Sequence, residues 1–453
     1  MIIFLAHSKM IRLENYKRMK DIYKTIGNIV VFGALLIFNS NCVPGNNEKN
    51  LETDWEFYSQ RTELAPKHWV EGDVNYEGNS TLALSGHGKR YASGSWTYTY
   101  EVTSGKYYSF ITYFKAENIT QIDKTALVEI TWLGSDGSRV GFFEYPAFKA
   151  QQTDDSWYMI QQTYEVPEDA VKARVDLIYR WDAKGTVYFG GMTFKEVSPP
   201  KPRTVRLATV YHRPENTGSS LKSLEEFAKY VDLAGEKGAD IVCLPEGVTI
   251  IGTGKTYTDV SEPVPGPTTK FLGDLAKKHN MYIVAGIYEK EDTAVYCTAI
   301  LLGRDGELKG KYRKISIPNE EFHGGITPGD SFPVFDTDFG KIGIMICLDV
   351  FFPEPARMLA LQGAEVIFLP IWGGNLTLAR ARAIENQVYL VSSSFDMITG
   401  IFDKTGELMI ESSEENPVVV VDVDLNKRQL WDWLGELRNR ITREMPSSEL
   451  IQY

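Results

Sequence analysis

Three side chains suited to covalent chemistry stand at predicted strand ends in the C-terminal half of this 453-residue chain. Glu246 closes IVCLPE, Lys314 closes GKYRK, and Cys347 closes GIMIC. Catalytic and ligand-binding groups in layered α/β folds gather at the carboxyl ends of strands. A carboxylate, an ammonium and a thiol at three strand ends therefore predict one shared site.

Such a trio can perform acyl transfer without a metal or a cofactor. The thiol reacts as a thiolate, and we expect the charge of Lys314 and a helix beginning near Phe352 to lower its pKa. Glu246 can take the thiol proton, pass it to a leaving amine and later activate water. Lys314 and the backbone N–H of Leu348 can stabilise the oxyanion that forms when a carbonyl is attacked.

The alternative interpretation of Cys347 is a small core residue, as most buried cysteines are. Cys243 and Cys297 lie inside apolar strands and fit that interpretation. Cys347 differs because a carboxylate and an ammonium accompany it. The chain has no Cys-x-x-Cys pair, and its six histidines lack ligand spacing, so no metal site is predicted.

Strands and helices alternate from residue 205 onward. Apolar strands are predicted at 205–210, 239–247, 281–290, 341–347, 364–370 and 387–394, with a hairpin over 294–314. Helical spacing predicts helices at 220–239, 267–280, 354–363 and 377–387. This alternation indicates a layered α/β domain over 205–453, and the continuous apolar runs indicate strands covered on both faces.

Residues 52–197 have a different pattern. Short β-branched and aromatic segments, such as 107–116 and 126–133, are separated by Gly and Asp turns. This pattern predicts an all-β sandwich or jelly roll, followed by a proline-rich linker at 198–204. The region resembles the carbohydrate-binding-like modules of secreted enzymes, so a glycan is one candidate partner. The alternative is that its tryptophans, among them Trp55, Trp132 and Trp157, only pack the strands.

The N-terminal sequence is typical of an export signal. Four basic residues between 17 and 24 precede an apolar run at 26–38, which is shorter than the ~20 residues of a membrane span. Cys42 resembles the lipid-modified cysteine of bacterial lipoproteins. We therefore predict a signal segment at 1–42 and a tether at 43–51, giving an envelope lipoprotein or a secreted protein. An ordinary signal peptide and an uncleaved anchor are the alternatives.

The composition excludes one class of partner. A net charge of −12 argues against a nucleic-acid binder, which would present a basic face. Hydrophobic content of 43% and charged content of 24% are those of a globular protein with a large core. Membrane contact is expected only through the N-terminal lipid or anchor.

The motifs LPE, GKYRK and CLDVFFPE, in this order and spacing, resemble the nitrilase superfamily of carbon–nitrogen hydrolases. The resemblance extends over about residues 204 to 430 and includes TPGD at 327–330 and the RAIEN helix. It implies a four-layer αββα sandwich with a Glu-Lys-Cys triad, at Glu246, Lys314 and Cys347. Homo-oligomers are also expected from this resemblance.

The resemblance implies further site residues. Superfamily members often carry a second glutamate between the lysine and the cysteine, for which Glu321 is preferred to Glu320. Leu348 stands where the family usually has an aromatic residue, although only its backbone N–H is needed. Apart from the resemblance, His323 and Trp372 are candidate pocket residues; the alternatives are an ordinary loop residue at 323 and a packing residue at 372.

We therefore predict an amidohydrolase of carboxamide or carbamoyl groups that works through a thioester and binds a small-molecule amide. Two alternatives stand beside it. One is an acyltransferase with the same triad, whose known representatives carry several membrane spans. The other is a glycan-binding surface protein with a vestigial hydrolase domain.

Overall fold

The computed structural model describes residues 54–146, 148–152, 156–431 and 434–444, with only the backbone described for 148–152. The predicted signal segment at 1–42, the lipidation candidate Cys42 and the tether at 43–51 lie outside the described residues. Within the described ranges, no helix has the length and apolar character needed to cross a membrane.

Two antiparallel sheets form the N-terminal region. Its strands are β1 Glu56–Tyr58, β2 Lys67–Tyr76, β3 Asn79–Ser85, β4 Ser93–Glu101, β5 Tyr107–Glu117, β6 Ala126–Leu133, β7 Arg139–Glu144, β8 Phe148–Gln152, β9 Tyr158–Glu165, β10 Lys172–Arg180 and β11 Thr186–Val197. A 3-10 turn at Thr62–Leu64 and helix α1, Ile122–Thr125, connect them. The strand orders are β1-β4-β10-β6-β7 and β2-β3-β11-β5-β9-β8.

An aromatic core lies between these two sheets. In β5 every second side chain is buried, which places Phe110 and Phe114 in this core. Trp55 and Trp132 join the same core, whereas Trp157 is buried in a separate small cluster with Tyr188. These three tryptophans therefore pack the strands, as aromatic residues commonly do in sandwiches. The jelly-roll connectivity stays a prediction.

The C-terminal region begins directly after the proline-rich segment. Its strands are β12 Thr204–Val210, β13 Ile241–Cys243, β14 Tyr282–Glu291, β15 Ala294–Leu302, β16 Leu308–Arg313, β17 Val334–Asp336, β18 Lys341–Ile344, β19 Val366–Ile371, β20 Tyr389–Ser394, β21 Thr399–Phe402, β22 Leu408–Ser412, β23 Val418–Asp424, β24 Leu430–Trp431 and β25 Gly435–Glu436.

The four predicted helices of this region end one to three residues before their predicted C-terminal ends, whereas their first residues agree with the prediction to within one residue. They are α2 Ser220–Glu236, α3 Tyr257–Val260, α4 Pro267–His279, α5 Asn319–His323, α6 Pro353–Leu361, α7 Leu376–Asn386 and α8 Ile441–Glu444. Two 3-10 turns, Cys347–Phe351 and Arg438–Arg440, complete the set. Helix α2 ends before Gly238, whose φ of +74° suits glycine at a helix C-terminus.

Four layers result from this order. The strand orders of the two six-stranded sheets are β16-β15-β14-β13-β12-β23 and β17-β18-β19-β20-β21-β22. Side chains from both sheets form one buried core between them. Helices α2 and α4 cover the outer face of the first sheet, and α6 and α7 cover that of the second. Residues 204–424 thus have the αββα layering that the resemblance implied.

The segment after β23 contacts α6 and α7, the two helices that follow the candidate cysteine. The guanidinium of Arg438 donates to the backbone oxygens of Ala360 (3.1 Å), Ala364 (2.8 Å) and Asn386 (2.9 Å). Ala360 and Asn386 lie in the last turns of α6 and α7, and Ala364 follows α6 by three residues. The negative end of a helix dipole favours a cation at these positions. Arg438 therefore holds both helices in place.

Replacing Phe368 with alanine tests the core between the two sheets. Phe368 is fully buried on β19, so its loss should leave a cavity that costs about 3–5 kcal/mol of the free energy of unfolding. Thermal and urea unfolding measure this, with Met409→Ala, at a residue 40% exposed on β22, as the control. Equal effects in both variants would contradict the two-sheet core.

Candidate active site

Three chain segments meet at strand ends in the C-terminal region. Glu246 lies three residues after β13, Lys314 directly follows β16, and Cys347 lies three residues after β18. The ammonium of Lys314 donates to Glu246 Oε1 over 2.9 Å, and the thiol of Cys347 interacts with the same carboxylate. The structure thus brings the three predicted residues together.

A fully buried ammonium is the centre of this arrangement. Lys314 Nζ also donates to both carboxylate oxygens of Glu321, over 2.9 Å each. Lys314 is only 1% exposed, and a buried charge of this kind needs compensation by paired, hydrogen-bonded partners. Burial favours the neutral amine, but the charges of the two carboxylates outweigh it and raise the pKa of Lys314 well above its usual value.

The carboxylate of Glu246 accepts several hydrogen bonds. Its Oε1 receives Lys314 Nζ and, at 3.3 Å, the thiol of Cys297, while its Oε2 receives the backbone N–H of Trp372 at 3.0 Å. Burial acts to raise the pKa of Glu246, yet the charge and hydrogen bond of Lys314 hold that pKa below its usual range. Glu246 is therefore ionised and ready to act as a base.

Cys347 sits in an unusual backbone conformation. Its φ is +45°, a left-handed value that is rare for residues other than glycine and is often found at functional sites. Strand β18 ends at Ile344 rather than at the predicted residue 347, and Cys347 begins the 3-10 turn instead. The half-buried Cys347 lines the cavity described below and also packs against the core, with its Sγ 3.8 Å from the backbone oxygen of Gly373.

The expectation of a lowered thiol pKa is wrong. Burial, assisted by the negative charge of Glu246, raises the pKa of Cys347 to about 12, and Lys314 offsets this only in part. Helix α6 begins at Pro353, six residues after Cys347. The thiol is protonated at neutral pH, and an attacking sulfur must give its proton to Glu246.

Asp349 braces the turn that carries the cysteine. Its Oδ2 accepts from the Tyr312 hydroxyl (2.7 Å) and the Ile346 N–H (2.9 Å), and its Oδ1 accepts from the Ser316 N–H (2.9 Å). These donors lie on both sides of the lysine and directly before the cysteine. One buried carboxylate thus fixes two catalytic candidates relative to each other.

A cavity of about 880 Å³ leads to these residues. Its walls are mainly apolar and aromatic, and the exposed Lys255 and Glu320 add charge at its rim. The residues that line it are Glu246, Ile250, Ile251, Gly252, Lys255, Thr256, Tyr257, Thr258, Tyr288, Pro318, Glu320, Glu321, Gly324, Cys347, Trp372 and Gly373.

The remaining predicted residues differ in their positions relative to the cavity. Glu321 is buried on Lys314, whereas its neighbour Glu320 stays exposed at the rim. Trp372 lines the cavity and is 36% exposed. The pocket prediction for His323 is not met, because this residue is exposed at the end of α5, packs against Phe322 and is not part of the lining.

The backbone N–H of Leu348 stays the predicted oxyanion donor. Leu348 is the second residue of the 3-10 turn that Cys347 begins. The first amide groups of a helical turn have no carbonyl partner within that turn. The direction of this N–H is therefore set by the turn, independently of the leucine side chain.

A metal ion has one candidate position among the described residues. Ligand atoms of Glu246, Cys297 and Glu321 lie within 4.8 Å of one another. The ammonium of Lys314 lies 2.9 Å from both carboxylates, so this cluster already surrounds a positive charge. A divalent ion would have to displace that ammonium.

The chain is similar to several known proteins. The chain matches the carbon-nitrogen hydrolase family over residues 206–432. An omega-amidase of Bos taurus is 32% identical over 252 residues, which cover 49% of this chain and 89% of that protein. A nitrilase of Pyrococcus abyssi is 38% identical over 236 residues, which cover 46% and 87% respectively. The structure of a mutant Nesterenkonia amidase is 22% identical with a TM-score of 0.44, covering 50% of this chain and 92% of that one.

The chain belongs to the carbon–nitrogen hydrolase family, and the prediction of a carbon–nitrogen hydrolase is confirmed. The resemblance to the nitrilase superfamily is likewise confirmed over residues 206–432, which contain the whole site described above. The sandwich region lies outside the matched residues, so its likeness to carbohydrate-binding modules stays a prediction.

Replacing Asp349 with asparagine should disturb the brace. The amide has one oxygen where the carboxylate had two, and its NH2 group would face another donor. We expect a loss of about 1–3 kcal/mol in the free energy of unfolding. Thermal unfolding measures it, with the exposed Asp336→Asn, expected within about 0.5 kcal/mol of the wild type, as the control. An unchanged stability of the Asp349 variant would show that the hydrogen bonds of Asp349 do not stabilise this turn.

Glu321 should make stability depend on pH. Burial, opposed by Lys314 and assisted by Glu246, raises the pKa of Glu321 from 4.5 to about 7. The folded protein thus holds this proton more tightly than the unfolded chain, so the stabilisation present below pH 4.5 is lost as the pH rises to 7.

The Glu321→Gln variant should not lose stability in this way as the pH rises, because glutamine does not titrate. The difference in stability, variant minus wild type, should therefore rise between pH 5 and pH 8 by about 1–3 kcal/mol. Thermal unfolding at a series of pH values measures it, with the exposed Glu320→Gln as the matched control. A difference that does not change with pH would show that the raised pKa is wrong.

Proposed function

We propose that this protein hydrolyses small carboxamides through a thioester on Cys347. The observation that carries the proposal is the Lys314 ammonium, hydrogen-bonded to Glu246 and Glu321 beside a thiol at the end of a cavity. Membership of the carbon–nitrogen hydrolase family supports it.

Acylation begins with the substrate carbonyl carbon above the sulfur. As Cys347 Sγ bonds to this carbon, its proton passes to Glu246, which is the ionised carboxylate that interacts with the thiol. The carbonyl oxygen becomes an oxyanion, which the Leu348 N–H and the Lys314 ammonium stabilise. The C–N bond then breaks, Glu246 returns the proton to the leaving amine, and a thioester remains.

Deacylation uses the same groups in reverse order. A water molecule takes the place of the amine, and Glu246 removes its proton as its oxygen bonds to the thioester carbon. When the new intermediate collapses, the C–S bond breaks, the sulfur regains its proton from Glu246, and the carboxylic acid departs. Proton, electron pair and leaving group are thus all accounted for without a cofactor.

The charge state of the site explains why Glu246 can serve both steps. A base for a thiol with a pKa near 12 must stay ionised until the sulfur attacks, and Lys314 keeps it so. Glu321 shares that ammonium, and its own pKa near 7 lets it release or take a proton at neutral pH. Glu321 is therefore proposed as a positioning residue for Lys314.

The cavity supports a small amide with a polar far end. Its apolar walls suit a short carbon chain, and Lys255 and Glu320 at the rim suit a charged or hydrogen-bonding group. Several similar proteins are omega-amidases by name, which favours an amide over a nitrile. Export, lipidation of Cys42, a glycan on the sandwich and homo-oligomerisation stay predictions.

Cys347→Ala tests the proposal. We expect the wild type to release ammonia from members of a panel of short amides and to form an acyl adduct on Cys347 that mass spectrometry detects. Loss of the nucleophile should lower ammonia release by at least about 10³-fold and abolish the adduct. Cys243→Ala, which removes a fully buried thiol on β13, is the matched control and should retain both. Ammonia release by Cys347→Ala at the wild-type rate would overturn the mechanism.

A further inference from the structure

Cys297 has an unexpected position for a residue whose sequence pattern is that of an ordinary core cysteine. It lies on β15, is 1% exposed and packs in the core between the two sheets. Its thiol donates to Glu246 Oε1 at 3.3 Å, the same oxygen that receives Lys314 Nζ. Its backbone oxygen accepts the N–H of Lys314 at 2.9 Å. Cys297 therefore contacts two of the three proposed catalytic residues through different groups.

We propose that Cys297 is a positioning residue that sets which oxygen of Glu246 takes the proton and how strongly Glu246 holds that proton. The proposal rests on the proposed role of Glu246 as the base. Nothing in the motifs of the sequence points to Cys297, because it follows the burial pattern of its strand like any core residue.

The arrangement of donors around Glu246 explains the first effect. A carboxylate has about four lone-pair positions, two on each oxygen. On Oε1 both are taken, by Lys314 and by Cys297, whereas Oε2 accepts one hydrogen bond from the described part of the chain, that of the Trp372 N–H. The remaining position on Oε2 is then the one that accepts the proton of Cys347. The thiol of Cys297 thus directs proton transfer to one oxygen.

The chemistry of a thiol explains the second effect. A hydrogen bond to the ionised form of a carboxyl group lowers its pKa, and a stronger donor lowers it more. An S–H group is a weak donor, so it fills the position on Oε1 while leaving Glu246 more basic than a hydroxyl would. Removing the donor should raise the pKa of Glu246, and a serine hydroxyl should hold it at or below its present value.

The rate at which iodoacetamide alkylates Cys347 reports this directly. In that reaction the sulfur bonds to the methylene carbon, iodide leaves, and the thiol proton passes to Glu246. The acid limb of its pH profile therefore follows the ionisation of Glu246. Peptide mass spectrometry measures the rate at Cys347 alone, and no amide turnover is needed.

We expect the acid-limb midpoint of Cys297→Ala to lie about 0.5–1 pH unit above that of the wild type. The midpoint of Cys297→Ser should lie at or below the wild type. Cys243→Ala is the matched control: it removes another buried thiol of the same sheet, whose Sγ donates to the Leu244 backbone oxygen, and should leave the midpoint unchanged. A merely structural role would alter thermal stability without this order of midpoints.

Coincident profiles for the wild type and Cys297→Ala would overturn the proposal. If the alanine variant does not fold, a serine variant with a midpoint above the wild type would overturn it equally. Glu246→Gln serves as the reference: without the base, its alkylation should follow only the ionisation of the Cys347 thiol, so its limb should move to higher pH. A limb that stays at the wild-type midpoint in that variant would instead contradict the base assignment, so failure of the proposed function and failure of this inference remain distinguishable.

Discussion

The buried ammonium of Lys314 between two carboxylates is the constraint on which the rest of the site depends. Glu246 and Glu321 together carry one negative charge more than Lys314 supplies when both are ionised, and all three are almost inaccessible to water. This excess negative charge is distributed unequally: the pKa of Glu321 is raised to about 7, whereas that of Glu246 is lowered. Desolvation costs so much that two packed sheets must hold the partners in place.

The reactivity of the thiol follows from that charge balance. Because the positive charge is already shared by two carboxylates, little of it remains to ionise Cys347. A neutral thiol beside an ionised base differs from a preformed thiolate, since the sulfur becomes nucleophilic only as Glu246 takes its proton. Asp349 and the +45° φ of Cys347 fix the backbone that carries the sulfur. Proton transfer and attack are thus coupled by geometry.

The sequence predicts the layers and the meeting of Glu246, Lys314 and Cys347, because apolar periodicity shows the strands and catalytic groups gather at strand ends. It does not predict the thiol pKa, since burial and the 3-10 turn depend on tertiary packing. Cys297 escapes sequence reasoning for a similar reason: only the strand register places its thiol on Glu246. Asp349 could have been suspected from its position two residues after Cys347 in an apolar setting.

Neutron diffraction of the deuterium-exchanged protein near pH 8 tests the central claim most directly, because it locates the exchangeable protons of the site. The account predicts three deuterons on Lys314 Nζ, one on Cys347 Sγ and none on Glu246. A neutral amine at Lys314, or a thiolate at Cys347 beside a protonated Glu246, would contradict it.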